Sequence, residues 1–288
     1  MIYCKELDKS FETKENMFSA LKEANKDIIA SKKAKYYNDS LDNQKSTTTA
    51  KPIDISKLKD QVKGLDIDDA YYYIAVNTTK ILDSHGDLHL NGIWNKTVKE
   101  QQGKNYLVAD HELKAESVIV RKEHIEMFVA EIPFAMIGKS YTGSTEALIY
   151  KFRKDKVINP IYKEWLESGD AIEASVRMRY VDMLFALDSK DEEDKEYKKN
   201  FDQYINQIAN KKEYENEEGE IYYFWPVKQA ENRLESSLVL LGSNSSTGLV
   251  RQENKESGNH SKTIEPQEST PKFDLSKAIK ETKFNIKN

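Results

Sequence analysis

The sequence predicts an α+β fold whose core is a mostly antiparallel sheet. Two observations indicate it. Short β-branched and aromatic runs separated by polar turns fill residues 71–134, and amphipathic stretches with helical spacing lie before and after them. The 288 residues suit one medium-sized domain with appendages, or two small domains. A mean hydropathy of −0.75 with 32% charged residues is polar for a compact chain, so we expect sizeable tails or insertions outside the core.

Charge and cysteine content exclude several classes of protein. The net charge is −5, and lysine and arginine are spread along the chain, so the basic stripe of a nucleic-acid groove is absent. The single cysteine, Cys4, excludes an intramolecular disulfide. No apolar run approaches the roughly 20 residues of a membrane span, and the first ten residues lack the apolar region of a signal peptide. We therefore expect an intracellular protein with neither a nucleic-acid nor a membrane partner.

Residues 1–65 are predicted to form a helical arm and a linker. Apolar side chains at helical spacing indicate an amphipathic helix over residues 14–37. The polar, threonine-rich stretch "NDSLDNQKSTTTAKP" at 38–52 is typical of a linker.

Residues 66–248 are predicted to form the folded domain. Its first strands are "YYYIAV", "YLVA", "SVIV" and "MFVAEIPF". The composition of "STEALIYKFR" (144–153) favours a helix. "NPIYKEWLESG" (159–169) favours a second one, with Asn159 as N-cap, Pro160 at the first helical position and Gly169 just past the end.

The second half of this domain is predicted to alternate strands with one insertion. "AIEASVRMRYV" (171–181) has strand alternation, with apolar side chains on one face and Glu173, Ser175, Arg177 and Arg179 on the other. The charged stretch 188–220 keeps aromatic and isoleucine residues at helical spacing, which indicates an inserted amphipathic helix. Strands follow at 221–227 and 233–242. Residues 249–288 are expected to be a flexible tail with a docking helix near 273–284.

The most conspicuous ionisable run is "ILDSHGDLHLNG" (81–92), which places Asp83, His85, Asp87 and His89 at every second position. In a strand the two histidines would lie about 13 Å apart, too far to share one metal ion. A turn at Gly86 joining two strands explains the same residues, and we favour it over a metal site.

Three less conspicuous residues are candidates for catalysis. His111 follows the strand-like "YLVAD", and histidine is the natural general base near neutral pH; an ordinary surface histidine is the alternative. Ser175 lies in mid-strand, where a rigid backbone would fix a nucleophile, or else it lies on a solvated face. Glu235 in "RLESSL" could orient a histidine, or be a charge on an edge strand.

Four sequence blocks, in order, resemble the prohead (capsid maturation) proteases of tailed bacteriophages, whose fold is related to that of herpesvirus assembly proteases. They are "DSHGDLHLNGIW", "YLVADHELKAESVIV", "WLESGDAIEASVRMRY" and "NRLESSLVLLGSNSST", within residues 70–250. The second block places His111 where the family has its catalytic histidine. The third block places Ser175 at the nucleophile, and the fourth places Glu235 at the acidic position. Charged neighbours around the serine and the long 188–220 insertion depart from the family pattern.

The resemblance implies an assemblin-like fold, a mostly antiparallel β-barrel core surrounded by helices, with "DSHGDLHLNG" at the barrel entrance. It implies a serine endopeptidase in which Ser175 attacks, His111 accepts its proton and Glu235 orients the imidazole. Arg177 and Arg179 are candidates for stabilising the oxyanion, or they solvate that face or pair with Glu173. No cofactor and no metal ion is implied.

The same resemblance implies the partners and the place of action. The substrates would be the scaffold protein, the major capsid protein's scaffolding segment and the enzyme itself, inside the procapsid assembling in the host cytoplasm. The arm and the tail would recruit the protease and be removed by self-cleavage, and association into a homo-oligomer stays open. One alternative is a non-catalytic scaffolding or capsid-assembly protein with a protease-like fold, and another is a metal-dependent hydrolase centred on residues 83–89.

Overall fold

The structure, a computed structural model, describes residues 1–34, 68–169, 172–216 and 219–250. These ranges contain helices and sheets together, so the α+β class is confirmed. The strands are β1 Ile2–Cys4, β2 Lys9–Phe11, β3 Tyr71–Thr78, β4 Asp87–His89, β5 Tyr106–Ala109, β6 Val118–Val120, β7 Glu126–Pro133, β8 Ser144–Arg153, β9 Glu173–Met183, β10 Ala186–Leu187, β11 Tyr223–Val239 and β12 Gly248–Leu249. The α-helices are α1 Lys14–Ala34, α2 Asn95–Gln101, α3 Pro160–Ser168 and α4 Lys195–Tyr204.

The strands form two main sheets. One has the order β10-β11-β5-β6, with β4 and β9 also paired to β11, and the other has the order β12-β3-β8-β7. A small hairpin joins β1 to β2. Within the described residues these pairings do not close into a barrel.

Strand β11 organises the first sheet. Its first part pairs with β10 and with β4, its last part pairs in parallel with β5, and β9 runs antiparallel along most of its length. The sequence predicted two strands here, at 221–227 and 233–242. That prediction is wrong because the polar residues between them stay in the ladder with β9, so one strand of 17 residues forms.

Strand β8 occupies residues that the sequence predicted to be helical. Ser144–Arg153 is central in the second sheet, hydrogen-bonded to β3 on one side and to β7 on the other. Leu148, Ile149 and Tyr150 are consecutive and all buried, so both faces of the strand are covered. A strand buried on both faces loses its alternation, and its alanine and leucine content then resembles that of a helix.

Helix α3 is confirmed with its capping residues. The Asn159 side chain accepts hydrogen bonds from the backbone N–H groups of Ile161 (3.2 Å) and Tyr162 (3.4 Å), and Gly169 ends the helix in the left-handed region at φ 71°. Local signals of this kind need no tertiary contact to act.

Helix α1 is also confirmed, over Lys14–Ala34, and it packs against the core. Met17, Phe18 and Leu21 are buried in the same cluster as Trp225 of β11. Residues 1–34 therefore belong to one compact unit with the sheets. The predicted linker at 38–52, the boundary near residue 65 and the tail after residue 250 lie outside the described residues.

The charged 188–220 segment contains the predicted helix, as α4. Phe201, Ile205 and Ile208 are buried in a side cluster with Leu88 of β4 and Phe224 of β11. The segment is thus an excursion between β10 and β11 that leaves the pairing of β9 with β11 intact. No helix in the described part of the chain is long and apolar enough to span a bilayer.

Candidate active site

His111 lies in a tight turn directly after β5. Asp110 and His111 both have positive φ angles, 46° and 58°, which L-residues adopt rarely. The Asp110 N–H donates to the Leu238 carbonyl of β11 (3.2 Å), and the Glu112 N–H donates back to the Ala109 carbonyl (2.9 Å). The strand-end position predicted from the sequence is confirmed, and the turn keeps His111 beside β11.

Ser175 lies near the start of β9, opposite Ser237 of β11 in the antiparallel ladder. Its neighbour Ala174 donates its N–H to Thr247 Oγ1 (3.0 Å), and Thr247 Oγ1 donates to the Ala174 carbonyl (2.6 Å). Both edges of the strand are thus held at this point. Ser175 is only 1% exposed, so the solvated position considered from the sequence is wrong.

Glu235 is fully buried on β11, in register with Tyr106 of β5. The ladder between β11 and β9 is irregular around Glu235. Asn232 pairs with Met178 and Ser236 pairs with Val176, so β11 advances by four residues where β9 advances by two. Leu234, inside this bulge, has a φ of 71°. Bulges re-aim side chains and are common next to active sites.

The position of β11 between β5 and β9 explains how distant residues meet. His111 is 64 residues from Ser175 and 124 residues from Glu235 along the chain. Because β5 and β9 pair with the same stretch of β11, the turn after β5 and the serine of β9 come to lie on either side of the glutamate strand. The long insertion therefore does not separate Ser175 from Glu235.

The three side chains form one hydrogen-bonded series. His111 Nε2 is 2.7 Å from Ser175 Oγ, and His111 Nδ1 is 2.9 Å from Glu235 Oε1. An ionised carboxylate only accepts hydrogen bonds, so Nδ1 carries the proton and Nε2 presents its lone pair to the serine. This tautomer accepts a proton from the Ser175 hydroxyl.

Ser237 is a member of the site that the sequence did not single out. Its hydroxyl contacts Glu235 Oε2 (2.9 Å) and the backbone nitrogen of His111 (2.9 Å). Its spacing of two residues from Glu235 on a strand, which puts both side chains on one face, was the signal available.

The two arginine candidates differ in their surroundings. Arg179 is ion-paired with Glu231 (3.0 Å), which Arg233 also contacts (2.7 Å). It lies four residues from Ser175, or about 13 Å along a strand. Arg177 lies on the same face only two residues from Ser175. Arg177 is therefore the better placed of the two for contact with a group bound at Ser175.

Glu173, considered above as a partner for these arginines, contacts a loop and a lysine. It accepts a hydrogen bond from the Gly242 N–H (2.7 Å) and lies 3.7 Å from Lys139 Nζ. Burial raises the pKa of this carboxyl above its ordinary value. Glu173 thus joins the start of β9 to the loop that follows β11.

The conspicuous 81–92 run lies inside the core. The predicted turn is confirmed: the Gly86 N–H donates to the Asp83 carbonyl (3.0 Å), and Gly86 has a φ of 71°. Asp87 and His89 are buried on β4. Their burial follows from the pairing of β4 with the start of β11 and from the contact of Asp87 with Lys32 of helix α1. The expected position of this stretch at the entrance of a barrel stays a prediction.

The ring nitrogens of His89 are both engaged by protein groups. Nδ1 lies 3.0 Å from Asn77 Oδ1 and Nε2 lies 3.1 Å from the Tyr180 hydroxyl. Burial lowers the pKa of His89 to about 3, so the ring is neutral. Among the described residues no group of three or more His, Cys, Asp or Glu side chains could hold a metal ion.

Lys32 of helix α1 contacts the turn that contains Asp83 and the start of β4. Lys32 Nζ contacts Asp87 Oδ1 (2.5 Å) and the His85 carbonyl (2.9 Å), and Asp83 Oδ1 accepts hydrogen bonds from the N–H groups of His85 and Asp87. Burial raises the pKa of Asp83 to about 6 and that of Asp87 to about 7. We call Lys32, Asp83 and Asp87 the lysine–aspartate cluster.

No protein-family model matches the chain, and neither a curated protein nor a solved structure matches it significantly.

Proposed function

We propose that the chain is a serine endopeptidase with Ser175 as nucleophile, His111 as general base and Glu235 as the group that orients His111. The observation that carries the proposal is the hydrogen-bonded series from Ser175 through His111 to Glu235. A nucleophile within hydrogen-bond reach of a base, itself oriented by a third group, is the arrangement that serine hydrolases of unrelated folds share.

The reaction follows from the tautomer. Ser175 Oγ attacks the carbonyl carbon of the substrate while its proton passes to His111 Nε2. The imidazolium that forms is stabilised by the buried carboxylate of Glu235 at Nδ1. His111 then gives the proton to the leaving amine, and the acyl-enzyme is hydrolysed by water that His111 activates in the same way.

The oxyanion formed on attack needs donors fixed before the reaction. Arg177 is the first candidate in this proposal because it follows Ser175 by two residues on the same face of β9. Arg179 is the second candidate. Its ion pair with Glu231 of β11 favours a role in joining β9 to β11 over a role in stabilising the oxyanion.

The resemblance of four ordered blocks narrows the reaction to peptide bonds and to phage capsid maturation. In this proposal the enzyme acts inside the procapsid in the host cytoplasm, on the scaffold protein, on the capsid protein's scaffolding segment and on itself. The proposal also includes the finer fold that the resemblance implies, in which the two sheets correspond to a mostly antiparallel, assemblin-like barrel core surrounded by helices.

Procapsid assembly in the presence of the wild-type chain or of Ser175→Ala tests the function. We expect shortened scaffold protein and a shortened protease by intact mass in the first case, and full-length chains in the second. Scaffold that is digested equally by Ser175→Ala or His111→Ala would contradict the catalytic assignment. Full-length chains in both cases, with capsids assembled normally, would favour a non-catalytic assembly protein instead.

A further inference from the structure

Ser237 lies within the proposed catalytic site without touching the reacting atoms. It is fully buried on β11, directly opposite Ser175 in the ladder. Its single hydroxyl makes two contacts, one with the backbone nitrogen of His111 and one with Glu235 Oε2, each 2.9 Å long. One side chain thus joins the base to the acid that orients it.

The direction of both hydrogen bonds is fixed by the chemistry of the partners. A backbone N–H can only donate, so the hydroxyl oxygen accepts from His111. The hydroxyl hydrogen is then free for Glu235, whose ionised carboxylate can only accept. With His111 Nδ1–H donating to Oε1, both oxygens of Glu235 have hydrogen-bond partners, as a buried carboxylate requires.

The contact with the His111 backbone has a second effect. Asp110 and His111 both lie in the left-handed region, a conformation that persists in L-residues only when the surroundings fix it. The Ser237 hydroxyl bonds the second of these residues directly. Loss of this bond would let the turn relax and would move the imidazole relative to Ser175.

We infer that Ser237 is a positioning residue for catalysis. It holds the Glu235 carboxylate in the orientation that faces Nδ1 and holds the His111 backbone in the turn that places Nε2 at Ser175. This inference rests on the proposed function, because it concerns how fast Ser175 is activated.

Inactivation by an alkyl fluorophosphonate measures this activation without knowledge of the natural substrate. The rate at saturation, kinact, reports the nucleophile, and KI reports binding of the probe. For Ser237→Ala we expect kinact to fall by about 10–100-fold, the usual effect of removing a group that orients a catalytic one, with KI changed by less than about twofold. Ser237→Thr keeps a hydroxyl and should restore most of the rate.

Ser189→Ala is the matched control. Ser189 is buried outside the proposed site, and its hydroxyl makes the same two kinds of contact: it donates to Asp194 Oδ2 (2.5 Å) and accepts from the Asp191 N–H (3.2 Å). We expect kinact of this variant to stay within about twofold of the wild type. Equal losses in Ser189→Ala and Ser237→Ala would overturn the inference, because they would indicate a general effect of removing a buried hydroxyl.

The remaining outcomes are also decisive. A Ser237→Ala variant inactivated as fast as the wild type would overturn the inference while leaving the proposed function in place. Should Ser237→Ala fail to fold, as judged by thermal unfolding, Ser237→Thr and Ser237→Cys decide: a rate kept by Thr and lost by Cys supports the role of the hydroxyl, and equal rates overturn it. A wild type that reacts no faster than Ser175→Ala would instead contradict the proposed function itself.

Discussion

Two of the clusters of ionisable side chains that are buried in the described part of the chain differ in what their carboxylates contact. In the proposed catalytic site, Glu235 contacts an imidazole and a hydroxyl, and the imidazole contacts a second hydroxyl. In the lysine–aspartate cluster, Asp87 contacts an ammonium group and Asp83 contacts backbone N–H groups. Both clusters lie beside β11, the lysine–aspartate cluster near the start of that strand and the proposed catalytic site near its end.

Burial and a shifted pKa therefore do not by themselves identify a catalytic site in this protein. The raised pKa values of Asp83 and Asp87 follow from desolvation, and the lysine beside Asp87 serves to hold helix α1 against the sheet. What distinguishes the other cluster is a base whose second nitrogen faces a hydroxyl. The proposed catalytic site should therefore control the reaction rate, and the lysine–aspartate cluster should control the free energy of unfolding.

The largest effect is expected at His111. His111→Ala removes the acceptor for the serine proton, so we expect the fluorophosphonate inactivation rate to fall by about 10⁴-fold or more. The melting temperature is measured alongside, and rates are compared where both chains are folded, because the His111 side chain is only 6% exposed and its removal takes a hydrogen-bond donor from the buried Glu235. An inactivation rate within tenfold of the wild type would remove His111 from the mechanism.

Glu235→Gln is expected to reduce the same rate by about 10³–10⁴-fold. The amide can donate to His111 Nδ1, which favours the tautomer with its proton on Nε2, and that nitrogen then cannot accept the serine proton. Circular dichroism checks that the fold is kept. A variant that loses activity only together with its fold would show that Glu235 is structural.

Lys32→Met is expected to leave the inactivation rate within about twofold while lowering the free energy of unfolding by about 3–5 kcal/mol near neutral pH. The cost arises because Asp87, whose pKa Lys32 lowers, must in the variant either take up a proton or keep a buried charge without its partner. Lys26→Met, at an exposed position of the same helix, is the control and should change stability by less than about 0.5 kcal/mol. Equal losses in the two variants would contradict the assigned role of Lys32.

The smallest effect concerns pH. Asp83 and Asp87 titrate at about 6 and about 7 in the folded chain, against an ordinary aspartate value of 3.8. The folded chain thus holds more protons than the unfolded chain between these limits, and the two groups make stability fall as the pH rises through this window. Above it, their contribution is constant.

Asp83→Asn removes one of these groups. We therefore expect the free energy of unfolding of the variant to rise relative to that of the wild type by about 2–3 kcal/mol as the pH increases from about 4 to about 7. Urea unfolding of both chains across this range measures the difference. A difference that is independent of pH would show that Asp83 is not titrating in the folded chain.

The sequence predicted the parts of the fold that depend on local signals. Helix α3 has its cap, its proline and its terminal glycine within eleven residues. Strand β8 could not be predicted because its extended conformation depends on hydrogen bonding to β3 on one side and to β7 on the other. The contact of Lys32 with Asp87 joins residues 55 apart, and nothing local to either residue indicates it.

For the site, the sequence indicated the candidate residues but not how they come together in space. His111, Ser175 and Glu235 were singled out by the order of blocks in a resemblance, since their spacing along the chain carries no geometric information. Their approach depends on the register of β5 and β9 against β11, and on a bulge that includes Leu234 in the left-handed region. Neither register nor bulge is readable from the alternation of apolar residues. The spacing of Ser237 from Glu235 indicates a shared face, but the contact of Ser237 with the His111 backbone depends on that register.

The most direct test of the catalytic assignment is the identity of the residue that the fluorophosphonate modifies. Peptide mass spectrometry of the inactivated wild-type chain should find one phosphonyl adduct, on Ser175, and the adduct should be absent from Ser175→Ala and from His111→Ala over the same time. No adduct on the wild type, or an adduct formed equally fast without His111, would contradict the assignment of Ser175 as a nucleophile activated by His111.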